Sequence, residues 1–258
     1  MRFQSYVFFV AKVACQTVCF SFVALLLAGF AGTGSATEMP GQAQAEAESK
    51  TRGDTLVMGM TAEASNLIPY MSTDSASSSV SGNFYVAPLK FDKDLNVIPW
   101  AAESFYLLDD GRLLRFRLKK GIFWEDGVEL TADDAEFTYK LMTNKKTPTA
   151  YSGDLLIIKD FRKTGRYSFE VAYEKPFPRS LSTWMGALLP KHRLEEAGPE
   201  GIRRNALARK PISCGPYLFR HWPAGSYIDM ASHPRYFDVQ PFIDPLLYRS
   251  TPAKTTPF

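Results

Sequence analysis

Cysteine is scarce in this sequence, with three residues among 258. Cys15 and Cys19 lie in an apolar run near the N-terminus, and Cys214 is the only cysteine in the rest of the chain. The first two do not follow the Leu-small-small pattern of a lipoprotein site, so we interpret them as part of a removable apolar segment. A single remaining thiol cannot form an intramolecular disulfide, and the fold must therefore be held by its hydrophobic core.

Histidine and catalytic motifs are equally sparse. The three histidines have neither metal-ligand spacing nor a neighbouring Cys or His partner: His192, His221 and His233. The sequence contains no nucleophile elbow, no Gly-rich dinucleotide motif and no P-loop. The acidic pairs 109–110 and 133–134 are explained by a turn and a helix start rather than by acid–base catalysis. We therefore expect no enzyme, no metal site and no cofactor.

A large excess of positive or negative charge is also lacking. The chain has 30 Lys and Arg against 27 Asp and Glu, for a net charge of +3. No Lys/Arg run in the body of the chain exceeds two residues, so nucleic acid is not an expected partner. Hydrophobic residues make up 45% and aromatic residues 14% of the chain. So many aromatic residues indicate either large core side chains or a stacking groove for a ligand.

The N-terminus has the features of a targeting segment. An apolar run over residues 13–30 is followed by Gly-Ser-Ala at 34–36, small residues that suit a cleavage site. We predict a signal peptide over 1–36 and a mature N-terminus near Thr37. The alternative is an uncleaved membrane anchor, since the run approaches the length needed to span a bilayer. Residues 37–53, rich in Ala, Gln, Glu and Gly, predict a flexible leader.

The stretch 121–142 has the strongest local pattern. It begins with aromatic and apolar residues, breaks at Glu-Asp-Gly over 125–127, and then reads as a helix start. Thr131 is placed to cap that helix, and acidic residues in the first turn meet the positive end of its dipole. Three residues, Ala135, Thr138 and Met142, fall on one face of this helix, and Leu141 lies beside them at helical spacing.

Other segments predict short strands, hairpins and helices. Alternation of apolar and polar residues around Asp109-Asp110-Gly111 indicates a hairpin. Further strands are predicted at 55–60 and 246–250, and hairpins across 163–166 and 223–226. The Ser-rich segment 72–81 predicts a polar helix start or, alternatively, a linker, and residues 193–209 predict a charged helical stretch interrupted at Gly198-Pro199.

Several ordered motifs carry a resemblance. They are Asp54-Thr-Leu-Val-Met-Gly59, Asn66-Leu-Ile-Pro69, Pro99-Trp-Ala-Ala-Glu-Ser104, the stretch 121–142, Leu188-Leu-Pro-Lys-His192, Pro211-Ile-Ser-Cys-Gly-Pro-Tyr217 and His233-Pro-Arg-Tyr-Phe237. Together the motifs resemble the family 5 extracellular solute-binding proteins, which are periplasmic dipeptide- and oligopeptide-binding proteins of ABC importers. Ser213 and Cys214 depart from the Gly-Thr of the family motif.

The resemblance implies a fold of the α/β class, mixed in the α+β sense. It implies the first lobe of a type II periplasmic-binding-protein fold with an extra hairpin-rich domain. Residues 54–90 and 179–250 would form the ligand-contacting domain, and 91–178 the extra domain. The family continues into a hinge and a second lobe, which residues 251–258 do not match. The expectation is a member truncated after its first lobe, with the second lobe missing.

The resemblance also implies where a ligand would bind. The loop after the first strand would offer backbone groups to an extended ligand, and two later segments would form the cleft wall. The expected ligand-binding residues are Glu63, Ala64, Ser65, Trp184, Met185, Gly186, Cys214 and Gly215. For Trp184 ordinary core packing is the alternative, and both glycines could instead serve turns.

The expected function is the periplasmic solute-binding component of an ABC transporter. The expected partners are a peptide or similar small solute and an inner-membrane ABC permease. The alternative is a non-transporting structural remnant that binds no ligand. Because the second lobe would supply paired contacts in the family, we expect the chain alone to bind peptides weakly and to self-associate through exposed apolar surface.

Overall fold

The computed structural model describes residues 53–250. The predicted signal peptide, the leader up to residue 52 and the terminal segment 251–258 lie outside the described residues. Within 53–250, no helix is both long enough and apolar enough to span a bilayer. The described part of the chain alternates short helices with strands that form three separate sheets, which confirms the expected mixed α/β class.

Ten strands and five short helices make up this part of the chain. The strands are β1 (Leu56–Met60), β2 (Leu89–Phe91), β3 (Val97–Pro99), β4 (Ala102–Leu108), β5 (Leu113–Leu118), β6 (Ile158–Gly165), β7 (Ser168–Tyr173), β8 (Tyr217–His221), β9 (Tyr227–Ser232) and β10 (Leu246–Ser250). The α-helices are α1 (Ser75–Ser81), α2 (Ala132–Thr143), α3 (Ser180–Thr183), α4 (Lys191–Leu194) and α5 (Gly198–Gly201). Single 3-10 turns lie between several of them.

The first sheet joins the two ends of the described chain. Its strand order is β1-β10-β9-β8, with β1 parallel to β10 and the other pairs antiparallel. Side chains of the inner strands are buried, among them Ile228, Met230 and Leu246. The predicted strand at 55–60 is confirmed as β1, but it lies at the edge of the sheet, and Val57 is 53% exposed.

The second sheet has the order β4-β5-β7-β6 and is antiparallel throughout. Leu114, Phe116 and Leu118 are fully buried, whereas Arg115 and Arg117 point to the outer face. The predicted alternation along this strand is therefore confirmed. The β4–β5 connection passes through three consecutive residues with left-handed backbone, at φ of 50°, 51° and 87°, and they are the predicted Asp-Asp-Gly. Asp tolerates this region better than most residues, and Gly enters it freely.

Helix α2 begins with the predicted cap. The Thr131 hydroxyl accepts a hydrogen bond from the Asp133 amide at 3.2 Å, and the Asp134 carboxylate accepts one from the Thr131 amide at 2.9 Å. This reciprocal arrangement is a capping box. Asp134 has a further role, because its other oxygen accepts from the Lys191 amide at 3.0 Å. This one side chain therefore both caps α2 and fixes the start of α4. Burial raises the pKa of its carboxyl group.

The remaining helical predictions are confirmed in part. The Ser-rich segment forms α1, whose N-cap Asp74 accepts a hydrogen bond from the Ser77 amide. It is therefore a capped helix and not a linker. The stretch 193–209 breaks into α4, α5 and 3-10 turns rather than two longer helices. Gly198, at φ +61°, lies at the predicted interruption.

Candidate functional site

A cleft of about 290 Å³ runs between α1 and the segment 185–187. Aromatic, small apolar and hydroxyl-bearing side chains line it. They are Ile68, Pro69, Tyr70, Ser72, Ser78, Ser81, Gly82, Tyr85, Val86, Ala87, Trp100, Tyr151, Met185 and Ala187. An apolar wall with a few polar groups is the usual composition of a small-molecule site.

Tyr70 holds the two sides of this cleft together. Its hydroxyl donates a hydrogen bond of 2.8 Å to the Ala187 carbonyl, and its own carbonyl accepts one of 3.0 Å from the Thr149 hydroxyl. The ring also meets Tyr151 edge-to-face, with centroids 6.1 Å apart. The backbone of Tyr70 is left-handed at φ 72°, a conformation that costs a residue other than glycine free energy. Three partners thus hold an unfavourable conformation at the cleft.

Tyr85 lines the cleft and carries a buried, unsatisfied hydroxyl group. The residue is only 2% exposed, and its hydroxyl has no hydrogen-bond partner within residues 53–250. Its ring packs edge-to-face against Trp124 at a centroid distance of 6.0 Å. Burial raises the pKa of the phenol, which keeps it protonated and able to donate. A buried donor without a partner costs free energy that a bound acceptor could recover.

Of the three expected residues in the loop after β1, two use their side chains within the protein. The Glu63 carboxylate accepts from the Trp222 indole at 3.0 Å and from the Gly225 amide at 3.2 Å. The Ser65 hydroxyl donates to the Asp74 carboxylate at 2.6 Å, and the Ser65 backbone amide donates to the Ser77 hydroxyl at 2.8 Å. In the described part of the chain, the backbone groups of Glu63 and of the buried Ala64 make no hydrogen bond. These backbone groups are among the polar groups of the loop without a partner in residues 53–250, and their role in ligand binding stays a prediction.

The expected residues 184–186 divide between the core and the cleft. Trp184 is 4% exposed and packs in an aromatic cluster with Phe116 and Phe169, at centroid distances of 5.4 and 5.0 Å. Met185 lines the cleft. Gly186 lies against Tyr70, because a Cβ atom at residue 186 would fall 2.3 Å from the Tyr70 hydroxyl. The observed packing of Trp184 is that of a core residue, and its role in ligand binding stays a prediction.

Cys214 and Gly215 pack against the backbone of the segment before Tyr85. Both amides donate to the Phe84 carbonyl, at 3.0 and 2.9 Å. A Cβ atom at Gly215 would lie 2.6 Å from the Asn83 carbonyl oxygen, so only glycine fits this approach. The Cys214 thiol is buried, and burial raises its pKa, which disfavours the reactive thiolate. Neither residue lines the cleft, although both support the segment that does.

The sequence interpretation missed the aromatic residues of the cleft. Tyr70, Tyr85, Trp100 and Tyr151 line it, and none was among the expected binding residues. The sequence did carry a signal that Tyr151 contacts a ligand. Tyr151 is a large aromatic residue in an irregular segment, where core packing explains such a residue less well than binding does. No such signal marked Tyr85, because an aromatic residue between apolar neighbours is typical of a core.

The side chains that line the cleft are suited to noncovalent contacts. Within residues 53–250, no three His, Cys, Asp or Glu side chains come together as a metal site. The cleft offers tyrosine hydroxyls, serine hydroxyls and apolar contact area. These groups can hold a neutral or zwitterionic organic molecule by hydrogen bonds and burial of apolar surface.

Comparison with known proteins gives consistent results. The family model described as bacterial extracellular solute-binding proteins, family 5 Middle, matches residues 96–258. The oligopeptide-binding protein AppA of Bacillus subtilis is 31% identical over 233 residues, which cover 89% of this chain and 42% of AppA. The chain thus spans about two fifths of the length of this relative.

Solved structures show the same likeness. The structure of B. subtilis AppA in complex with a nonapeptide superposes with a TM-score of 0.70 at 32% identity, covering 77% of this chain and 40% of AppA. The periplasmic binding protein DppA of Helicobacter pylori, in complex with the peptide STSA, gives a TM-score of 0.72 at 23% identity, covering 80% and 44%. These likenesses confirm the predicted type II periplasmic-binding-protein fold class.

Proposed function

The chain belongs to the bacterial extracellular solute-binding proteins of family 5, and from that membership we propose that it forms one wall of a binding site for peptides or similar small solutes. The family is one of solute-binding proteins rather than enzymes. The observation that carries the proposal is the cleft braced by Tyr70, whose wall includes the exposed ring of Tyr151. By the same proposal the protein works outside the cytoplasm, in the periplasm, and delivers its solute to an ABC permease in the membrane.

The cleft supplies two kinds of contact to such a ligand. Tyr151, which is 44% exposed, and Met185 offer apolar surface to a side chain. The hydroxyls of Ser72 and Ser78, which donate within the protein, can accept a hydrogen bond from an N–H group of the ligand. The free backbone groups of Glu63 and Ala64 suit an extended peptide, which pairs with a partner by main-chain hydrogen bonds. Glu63 and Ala64 do not line the cleft. A peptide that contacts both this loop and the cleft would therefore need to be several residues long.

We propose that residues 53–250 alone bind a peptide weakly. An open wall leaves much of the ligand in water, and water already satisfies most polar groups on the wall, so each contact contributes little net free energy. Tight peptide binding generally needs a ligand largely removed from solvent. A dissociation constant in the millimolar range corresponds to only about 4 kcal/mol of binding free energy.

The test is a titration of the chain with a pool of di- to pentapeptides, followed by NMR chemical shifts at millimolar peptide. We expect small, saturable chemical-shift changes in resonances of the cleft residues. Tyr151→Ala should raise the dissociation constant obtained from these changes at least fivefold. Tyr106→Ala is the matched control, since Tyr106 is 57% exposed and lies on the second sheet, away from the cleft.

Two outcomes would overturn this proposal. Binding that Tyr151→Ala and Tyr106→Ala weaken equally would place the site elsewhere. The absence of any shift at saturating peptide would favour the alternative, a structural remnant that binds no ligand. Micromolar binding by a monomer that Tyr151→Ala abolishes would support the cleft and refute only the weak affinity proposed for it.

A further inference from the structure

A second groove, of about 430 Å³, lies on the outer face of the sheet β4-β5-β7-β6. Cationic, hydroxyl-bearing and aromatic residues line it, and none of the lining residues is acidic. They are Ser104, Tyr106, Arg115, Phe116, Arg117, Lys120, Thr164, Arg166, Tyr167 and Ser168. Four cations around one concave surface attract anions, and the concavity distinguishes this groove from an evenly charged flat sheet.

Strand geometry places these groups side by side. Arg115 and Arg117 are two residues apart on β5, so both side chains leave the same face. The register pairs Arg117 with Ser104 on β4 and with Ser168 on β7. Arginine and serine side chains are hydrogen-bond donors, and their convergence on one face of the sheet suits an oxyanion with several acceptor oxygens.

Two of the arginines are anchored through one edge of the guanidinium only. The Arg115 Nε donates to a Glu170 oxygen at 2.7 Å, and Arg162 binds the other oxygen of that buried carboxylate. The Arg117 Nε forms an ion pair of 2.9 Å with Glu103. In both cases the ion pair fixes the Nε side, and the terminal nitrogens of Arg115 and Arg117 have no hydrogen-bond partner within residues 53–250. A guanidinium held in this way is positioned to bind a phosphate or carboxylate through its free edge.

The opposite side of the groove is held by Glu129. This carboxylate accepts hydrogen bonds from Arg166 at 3.0 Å and from the Tyr167 hydroxyl at 2.8 Å. The Lys120 ammonium lies 5.7 Å from the centroid of the Tyr167 ring, and within residues 53–250 it has no carboxylate partner. Lys120 is therefore a charge that the described protein does not neutralise.

Positive charge is in excess at this face. Five cations, the four that line the groove and Arg162, face four carboxylates: Glu103, Glu129, Glu170 and Asp160, the last of which acts on Arg162. We propose that this groove is an oxyanion site that binds a phosphate group, held by Arg117, Lys120 and Arg166. The phosphate belongs either to a free phosphorylated solute or to the headgroup of an anionic phospholipid. The site is separate from the peptide cleft and shares no lining residue with it.

The first test uses pyrophosphate as the probe, in a calorimetric titration at low ionic strength, where exposed charges are least screened. We expect saturable binding that the double variant Arg117→Gln with Lys120→Gln weakens at least tenfold. The control is Lys159→Gln with Arg220→Gln, two exposed cations outside the groove. The control removes the same net charge, so a local site and a general charge effect give different results.

The second arm separates the two sources of phosphate. The protein is sedimented with vesicles of phosphatidylglycerol and, as a reference, of phosphatidylcholine. Binding to phosphatidylglycerol that the groove variant abolishes and the control retains assigns the lipid headgroup, whereas groove-dependent binding of pyrophosphate alone assigns a free solute.

The proposal is overturned if neither probe binds, or if the groove variant and the control weaken binding equally. A peptide titration of the groove variant checks independence, because the cleft should bind peptide as before.

Discussion

The Tyr70 hydroxyl lies 2.3 Å from the position that a Cβ atom would take at Gly186. It reaches this position to donate its hydrogen bond of 2.8 Å to the next carbonyl along the chain, that of Ala187. The absence of a side chain at Gly186 therefore decides whether Tyr70 can close one end of the cleft. Tyr70, whose backbone has a left-handed conformation, and Gly186, which is distant in sequence, thus form one structural unit.

Gly186→Ala is expected to destabilise the protein by about 2 kcal/mol, because the added methyl group overlaps the Tyr70 hydroxyl and forces it from its partner. Urea unfolding gives the free energy. Gly153→Ala is the control, since a Cβ atom at Gly153 would meet nothing within 4 Å. In the background of Tyr70→Phe, which removes the overlapping oxygen, Gly186→Ala should cost clearly less. Additive effects of the two substitutions would refute this contact.

Gly215→Ala is expected to cost at least about 3 kcal/mol, more than Gly186→Ala. The new methyl group would lie 2.6 Å from the Asn83 oxygen and 2.8 Å from the Phe84 carbonyl carbon. Both are backbone atoms, which cannot rotate away as a tyrosine side chain can. Thermal or urea unfolding measures the loss, and a cost equal to that of Gly153→Ala would contradict the structure.

Thr131→Ala is expected to cost about 1 kcal/mol, because it removes the oxygen that caps α2. Thr131→Ser keeps that oxygen and should cost little. The difference between the two variants in urea unfolding isolates the cap from other effects of the site. If alanine and serine are equally harmless, the hydroxyl contributes nothing and the capping assignment is wrong.

Acidification is expected to destabilise the protein through His233. Burial lowers the pKa of this imidazole, whose Nδ1 lies 2.9 Å from the Gly215 carbonyl. As pH falls from 7 through the ordinary histidine pKa of about 6.5, the unfolded chain takes up the proton before the folded protein does. The stability present above that pKa is therefore lost as pH falls toward the lowered pKa of the folded state.

The measurement is the free energy of unfolding at several pH values between 7 and 5. Since other groups contribute to the total, the comparison is between the native protein and His233→Gln, which should lose less stability over this range. His221→Gln is the control, because His221 is exposed. Parallel pH profiles for the native protein and His233→Gln would refute the role of His233.

The sequence by itself determined the local structure wherever neighbouring residues supply the decisive contacts. Thr131 caps α2 through residues two and three positions away, and Asp109 to Gly111 turn the β4–β5 hairpin within a single loop. The buried and exposed faces of β5 follow from alternation alone. Motifs such as 121–142 were also enough to identify the family, because residue order along the chain carries that information.

Only the tertiary structure decided which residues line the cleft and which line the basic groove on the second sheet. The cleft needs Tyr70, Tyr85 and Met185, which are separated in sequence and which no short-range pattern relates. Trp184 was expected to contact the ligand, but it packs in a core aromatic cluster. That cluster forms only when β5, β7 and the segment after α3 pack together. The basic groove likewise depends on strand register, which sets Arg117 beside Ser168. Contacts between distant residues depend on how whole elements pack, and the local chemistry of one segment does not fix that packing.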